Sequence, residues 1–237
     1  MIRYKFIFFA LLFSFALVKA QVNTYSPYSY FGIGTLLPIG NNVNIAMAGM
    51  GASVISSNSL NYINPASYSF LDRTVFEFGM RSTFINMSEA EENQTNFISG
   101  LSNLSLGFPI SKKVSLSSAL LPYSSVGYAI NQTGFVNSDS LISGSTSHQG
   151  TGGINKFLLG VSWSVLDNLS IGANLNYLFG PITKETTIVS PLSTYYFRDI
   201  TNKLIRGVNF DLGVLSSVQF NNYQINIGAT LKPSSTI

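Results

Sequence analysis

The chain has 237 residues, of which only 10% are charged, against about 25% in an ordinary soluble domain. Of its thirteen basic and ten acidic residues, three basic and no acidic ones lie in residues 1–20, so the remainder carries equal numbers of both. This balance leaves no electrostatic footprint for nucleic acid. The absence of cysteine excludes a disulfide framework, so the fold must be stabilised by packing and backbone pairing.

Residues 1–20 have the pattern of a cleaved export signal. Arg3 and Lys5 precede an apolar run at residues 6–18, and Val18 and Ala20 lie at the positions that a signal peptidase reads. The run has thirteen residues, whereas a membrane-spanning helix needs about twenty. We therefore expect a Sec-type signal peptide followed by a mature chain that begins at Gln21. An uncleaved anchor is the alternative.

Residues 21–72 do not alternate and are rich in Gly, Ala, Asn and Ser, with almost no charge. Small side chains allow close backbone approach, and short polar ones satisfy backbone groups locally. These properties predict a hatch or plug that threads the lumen of a barrel. A periplasmic extension without fixed structure is the alternative, although its low charge and several aromatic residues are unlike a disordered tail.

The first alternating segment follows at residues 74–86, in which aromatic and polar side chains take opposite faces. The same alternation recurs at residues 98–110, 114–122, 157–165, 169–179, 204–220 and 223–231. Seven amphipathic strands of about 9 to 17 residues predict an all-β fold, a transmembrane antiparallel β-barrel. A secreted β-sandwich would also alternate. The long strands, the neutral polar face and the Tyr or Trp near strand ends favour the membrane.

The predicted connections alternate between short and long. Short links lie at residues 111–113, 167–168 and 221–222, and longer polar loops are predicted at residues 87–96, 129–153 and 181–202. Short periplasmic turns and long external loops are typical of outer-membrane barrels. The sequence thus predicts a protein of the Gram-negative outer membrane.

Small residues at Ala48, Gly49, Gly51 and Ala52 are followed by Asn64, Pro65 and Ala66, directly before an aromatic strand. This arrangement resembles the N-terminal region of the outer-membrane long-chain fatty acid transporter family (FadL and the toluene porins). Residues 107–128 also resemble a hairpin of that family. The resemblance implies a fourteen-stranded barrel. This chain would hold the hatch at residues 21–72 and the N-terminal half of the barrel at residues 73–237, about seven strands, with the chain truncated.

The resemblance also implies a function. It is passive uptake of hydrophobic small molecules such as long-chain fatty acids through a barrel gated by the hatch, with the seven small and Asn-Pro-Ala residues as the hatch motif. The expected partners are outer-membrane lipids, a fatty-acid-like ligand and the barrel assembly machinery, and no nucleic acid. The alternative is a non-transporting barrel of the same kind that acts as a structural subunit, plug or shuttle of a type IX-like secretion system.

Little in the sequence points to catalysis. The single histidine, His148, falls in a predicted polar loop with nothing beside it to orient a general base. No cysteine or histidine cluster suggests a metal. We therefore expect no enzyme, no cofactor and no metal. Glu77, Arg81 and Asp211 are predicted to face the lumen, where they either line a pathway or hydrogen bond to the hatch.

Overall fold

The computed structural model describes residues 24–89, 92–137, 140–190 and 196–233, so the predicted signal peptide lies outside the described residues. These residues form two 3₁₀ helices (Pro27–Tyr30 and Pro65–Phe70), one short α-helix and eight strands. The elements are α1 (Asn42–Ala46), β1 (Thr35–Leu36), β2 (Val75–Glu89), β3 (Glu92–Pro109), β4 (Val114–Asn137), β5 (Ser140–Leu166), β6 (Leu169–Val189), β7 (Tyr196–Phe220) and β8 (Tyr223–Leu231). Within this part of the chain, none of the helices has the length and hydropathy needed to span a bilayer.

Strands β2 to β8 form one curled antiparallel sheet in which each strand pairs with the next in the chain. The short turns predicted at residues 111–113, 167–168 and 221–222 join β3 to β4, β5 to β6 and β7 to β8. The all-β antiparallel fold with about seven strands is therefore confirmed. The curled sheet is a half-barrel of seven strands in the described residues, so the fourteen-stranded barrel implied by the resemblance is not shown.

Burial on the two faces of the sheet is the reverse of that in a soluble protein, because apolar side chains are exposed and polar ones are buried. On the convex face, large apolar side chains are exposed, for example Phe76 at 68% and Phe84 at 72%. On the concave face, small polar side chains such as Ser105 and Ser117 are buried. Exposure of so much apolar surface to water costs about 25 cal/mol per Å². The convex face is therefore suited to hydrocarbon, as in outer-membrane barrels.

The long loops predicted at residues 87–96, 129–153 and 181–202 are largely wrong. The β4–β5 ladder continues to Asn137↔Ser140, the β6–β7 ladder to Val189↔Tyr196, and the β2–β3 ladder to Glu89↔Glu92. Beyond the bilayer both faces of a strand can meet water, so the apolar alternation fades while the backbone pairing continues. Periodicity alone therefore ends these strands too early.

The wall of the sheet is interrupted between β3 and β4. These strands pair only from Pro109↔Ser115 to Leu104↔Leu120, although both continue for many residues. Next to this point β3 carries one extra residue, Ser102, relative to β2, and β4 carries Tyr123 as an extra residue relative to β5. Bulges of this kind bend a strand and end its pairing. They separate β3 from β4 here.

Residues 24–38, which we call the wall strap, run along β4 where β3 leaves it. Strand β1 pairs with β4 through Thr35↔Ser125 and Leu36↔Ser124. Further backbone bonds link Leu37 N to Tyr123 O (3.0 Å) and Ser26 N to Gly127 O (2.9 Å). The strap thereby satisfies backbone groups on the edge of β4 that would otherwise be unpaired. No periodicity in the sequence predicts this pairing.

Candidate functional site

Residues 41–72, the inner segment, pack on the concave face of the sheet. The contact is close because glycines stand where the segment crosses the strands. A Cβ atom on Gly172 of β6 would collide with the backbone of Pro65, and one on Gly213 of β7 would collide with the Asn64 side chain. Glycine is needed here because only hydrogen fits between the two backbones.

Asn64 is fully buried and joins three parts of the molecule. Its Nδ2 donates to Ala52 O at 2.6 Å, within the inner segment, and to Val214 O at 3.0 Å, on β7. Its Oδ1 accepts from Ala66 N at 3.0 Å and caps the second 3₁₀ helix. Pro65 occupies the first turn of that helix, where its fixed φ fits and its missing N–H costs nothing. The Asn-Pro-Ala motif thus attaches the inner segment to the wall.

The small-residue half of the motif divides into two parts. Ala48 and Gly49 are exposed, have positive φ and end α1, with Gly49 N donating to Asn44 O at 2.8 Å. Gly51 is buried and its carbonyl accepts from Asn61 Nδ2 at 2.6 Å, while Ala52 is exposed but offers its carbonyl to Asn64. The structure therefore brings Gly51 and Ala52 to the Asn-Pro-Ala residues, whereas Ala48 and Gly49 shape a turn.

Three further asparagines hold the inner segment together and were not predicted as site residues. Each is buried and donates its side-chain amide to a backbone carbonyl. The bonds run from Asn41 to Leu60 O (2.9 Å), from Asn44 to Met50 O (2.9 Å) and from Asn61 to Gly51 O and Val54 O (2.6 and 3.1 Å). The available signal was the recurrence of asparagine at a spacing of three in residues 58–64 and 41–44 of a segment with almost no charge.

Glu77 on β2 binds the inner segment. Its carboxylate accepts from Leu60 N at 2.9 Å and from the Tyr62 hydroxyl at 3.0 Å. That hydroxyl also lies 2.5 Å from Ser105 Oγ and accepts from Asn103 Nδ2 at 3.2 Å, both on β3. Burial, and then the neighbouring Glu77 charge, raise the pKa of Tyr62 above its ordinary value. The phenol therefore stays protonated and acts as a donor to Glu77.

Asp211 and Arg81 lie elsewhere on the concave face. Asp211 is buried on β7 and accepts from Asn176 Nδ2 of β6 at 3.0 Å, and its negative charge acts on the buried Lys156 of β5. Arg81 is half-buried and faces a cavity beneath the wall strap. The three residues predicted to line a pathway thus occupy three separate environments.

The phenol of Tyr68 makes a second deep attachment. Tyr68 is 1% exposed and donates to Asn174 Oδ1 of β6 at 3.1 Å, while Ser69 Oγ donates to Ser170 Oγ at 2.7 Å.

His148, predicted in a loop, instead lies on β5 with Nδ1 3.1 Å from Thr186 Oγ1. Among the described residues, no group of three or more His, Cys, Asp or Glu side chains gathers as a metal site would require.

Replacing Tyr62 with phenylalanine is expected to lower the free energy of unfolding by about 2 kcal/mol, because it removes a buried hydroxyl that bonds to Glu77, Ser105 and Asn103. The measurement is the urea midpoint of the purified chain in detergent. The control is Tyr28→Phe, since Tyr28 is 84% exposed. Equal midpoints for the two variants would contradict the structural role of the Tyr62 hydroxyl.

The curled antiparallel sheet, with its apolar convex face and its filled concave face, has the pattern that is typical of outer-membrane β-barrels. The family model described as BamG matches residues 1–237, and the chain therefore belongs to the BamG family. No curated protein and no solved structure matches this chain.

The family match associates the chain with the outer membrane and with barrel assembly. It contradicts the predicted function, which was uptake of fatty acids or other hydrophobic small molecules. The resemblance to the FadL family is not confirmed. A short Ala-Gly and Asn-Pro-Ala pattern reflects how a segment packs inside a sheet, and such packing does not specify transport.

Proposed function

We propose that this chain is a non-enzymatic structural subunit of the barrel assembly machinery of the outer membrane, and that its lumen is permanently filled. The family match supports the assembly role. The observation that supports a filled lumen is the hydrogen bonding of the inner segment to four strands. The strand partners are the Glu77 carboxylate on β2, Ser105 on β3, Asn174 on β6 and the Val214 carbonyl on β7.

Displacing the inner segment would break these attachments together. Each buried hydrogen bond contributes about 1 kcal/mol, and a buried partner left unsatisfied costs about 1–3 kcal/mol. Tyr62 and Tyr68 would also lose their apolar contacts in the cluster with the strand residues Ala119, Leu121 and Leu158. Opening a pathway by moving this segment is therefore costly in free energy. This cost favours a structural role for the protein over a transport role.

The fourteen-stranded barrel, with residues 21–72 as its plug, is part of this proposal. In the described residues, β2 and β8 each pair on one side only. A bilayer does not tolerate an open sheet edge, because unpaired backbone groups there meet no water. Further strands at these two edges would complete the wall, and the inner segment would then fill half of the enclosed space.

Co-purification tests the assembly role. The tagged full-length protein is extracted from its native membrane in mild detergent. The central barrel subunit of the assembly machinery is expected to co-purify with it. Its depletion is expected to lower the amounts of other outer-membrane barrels. An equally abundant tagged barrel serves as the control. Purification without assembly subunits, together with unchanged barrel levels after depletion, would refute the proposal.

Uptake of labelled oleate provides a second readout. Cells that carry the gene and cells that lack it are expected to take up oleate at equal rates, because the concave face is occupied. A rate that rises with the gene would contradict the filled lumen even if the protein co-purified with the assembly machinery.

A further inference from the structure

A cavity of about 320 Å³ lies between the wall strap and the inner faces of β2 and β3. This volume falls at the lower end of the range for small-molecule pockets, about 300–1,000 Å³. Most of its lining is aliphatic. These lining residues include Leu36, Leu37, Pro38, Ile45, Ile85 and Ile98.

Arg81 is the one charged residue in that lining, and it is half-buried. Across the part of the chain that the structure describes, no hydrogen bond or ion pair to its guanidinium is found. The carboxylate of Glu77, four residues earlier on the same strand, accepts hydrogen bonds from Leu60 N and the Tyr62 hydroxyl instead. A partly desolvated charge normally has a partner, and a guanidinium matches phosphate or carboxylate oxygens in a bidentate arrangement. The cavity therefore has the features of a site for an anion that carries an apolar body.

The position of the cavity indicates where such a ligand comes from. Its lining includes Leu101 of β3 and Pro122 of β4, which stand on either side of the interruption in the wall. On the convex face beside it, Met80 and Phe97 are 62% and 60% exposed, as lipid-facing side chains are. The cavity therefore reaches the interruption in the wall. Outside the wall the sheet faces apolar surroundings, and the anionic amphiphiles available there are membrane lipids.

We propose that this cavity holds one acyl chain of an anionic glycerophospholipid, with the lipid phosphate on Arg81. The lipid is a resident that completes the wall between β3 and β4, because it fills space that backbone pairing leaves open. It binds there without being transported. The site stands independently of the role in barrel assembly.

Native mass spectrometry of the full-length protein tests the site, with phosphatidylglycerol as the probe and phosphatidylcholine and inorganic phosphate as comparisons. One phosphatidylglycerol is expected to remain bound after delipidation and retitration. Arg81→Gln is expected to weaken its binding about tenfold or more, since charge-assisted hydrogen bonds are lost. Arg206→Gln is the control, because Arg206 is exposed and shares the convex face with Val208 and Phe210.

A second variant separates the cavity from the charge. Ile98→Trp fills the cavity while keeping Arg81, and it is expected to abolish the lipid adduct. The thermal midpoint of each variant in detergent shows that it is folded. Retention of the adduct in both Arg81→Gln and Ile98→Trp would overturn the site. So would equal losses in Arg206→Gln, equal affinity for phosphatidylcholine, or competition by inorganic phosphate alone.

Discussion

Gly213→Ala is expected to lower the free energy of unfolding by about 3 kcal/mol, because the new methyl group collides with the Asn64 side chain and with Pro65. Neither neighbour can move away easily. Asn64 is fully buried and bonded to carbonyls on two sides, and Pro65 is held in the second 3₁₀ helix. The inner segment must therefore shift away from β7, which breaks the bond to Val214.

Urea unfolding of the purified chain in detergent measures this effect, and limited proteolysis reports the exposure of residues 41–72. Val214→Ala is the matched control, since it is the next residue on the same strand and its side chain is on the convex face, 39% exposed. A Gly213→Ala variant that unfolds at the midpoint of Val214→Ala, with equal protection from protease, would show that the inner segment does not press on β7.

Asn64→Ala is expected to lower the free energy of unfolding by about 2–3 kcal/mol. Loss of an N-cap costs about 1 kcal/mol, and loss of the donors to two carbonyls adds a similar amount for each. The control is Asn58→Ala, because Asn58 is exposed in the same segment and its bonds to Ser56 are local. Indistinguishable midpoints for the two variants would contradict the anchoring role of Asn64.

The double variant provides a sharper test of the same contact. Removing the Asn64 amide also removes the atom that the Gly213→Ala methyl group strikes first. The combined cost is therefore expected to be smaller than the sum of the single costs, by about 1 kcal/mol or more. Strict additivity would mean that the two residues do not touch in the folded protein.

The family match contradicts the expected transport function, and the polar groups of the concave face show why the sequence alone could not exclude it. Glu77 was read as a residue that either lines a pathway or bonds to the hatch, and the structure places its carboxylate on Leu60 N and the Tyr62 hydroxyl. A polar concave face looks the same in sequence whether it meets water, a substrate or a packed segment. The alternation of a strand reports only which side is polar, and it does not report what covers that side.

The seven strands of the half-barrel and the two faces of the sheet could be predicted from the sequence. Alternation has a period of two residues, so a face such as the one bearing Phe76 and Phe78 is visible within a dozen residues. The short turns also follow from local sequence, because so few residues separate the alternating runs. The Asn-Pro-Ala cap is local as well, since the side chain of Asn64 reaches an amide only two residues away.

The tertiary structure alone decided how distant parts meet. Asn64 donates to Val214, which is 150 residues away in the chain, and Tyr68 donates to Asn174, which is 106 residues away. The wall strap replaces β3 beside β4 because bulges separate those strands, and a bulge leaves little trace in a periodicity. The outer ends of β4 to β7 remain strands because backbone pairing continues where both faces meet water. Local sequence therefore determined which residues form the sheet, whereas the contacts between backbones distant in sequence decided what fills it.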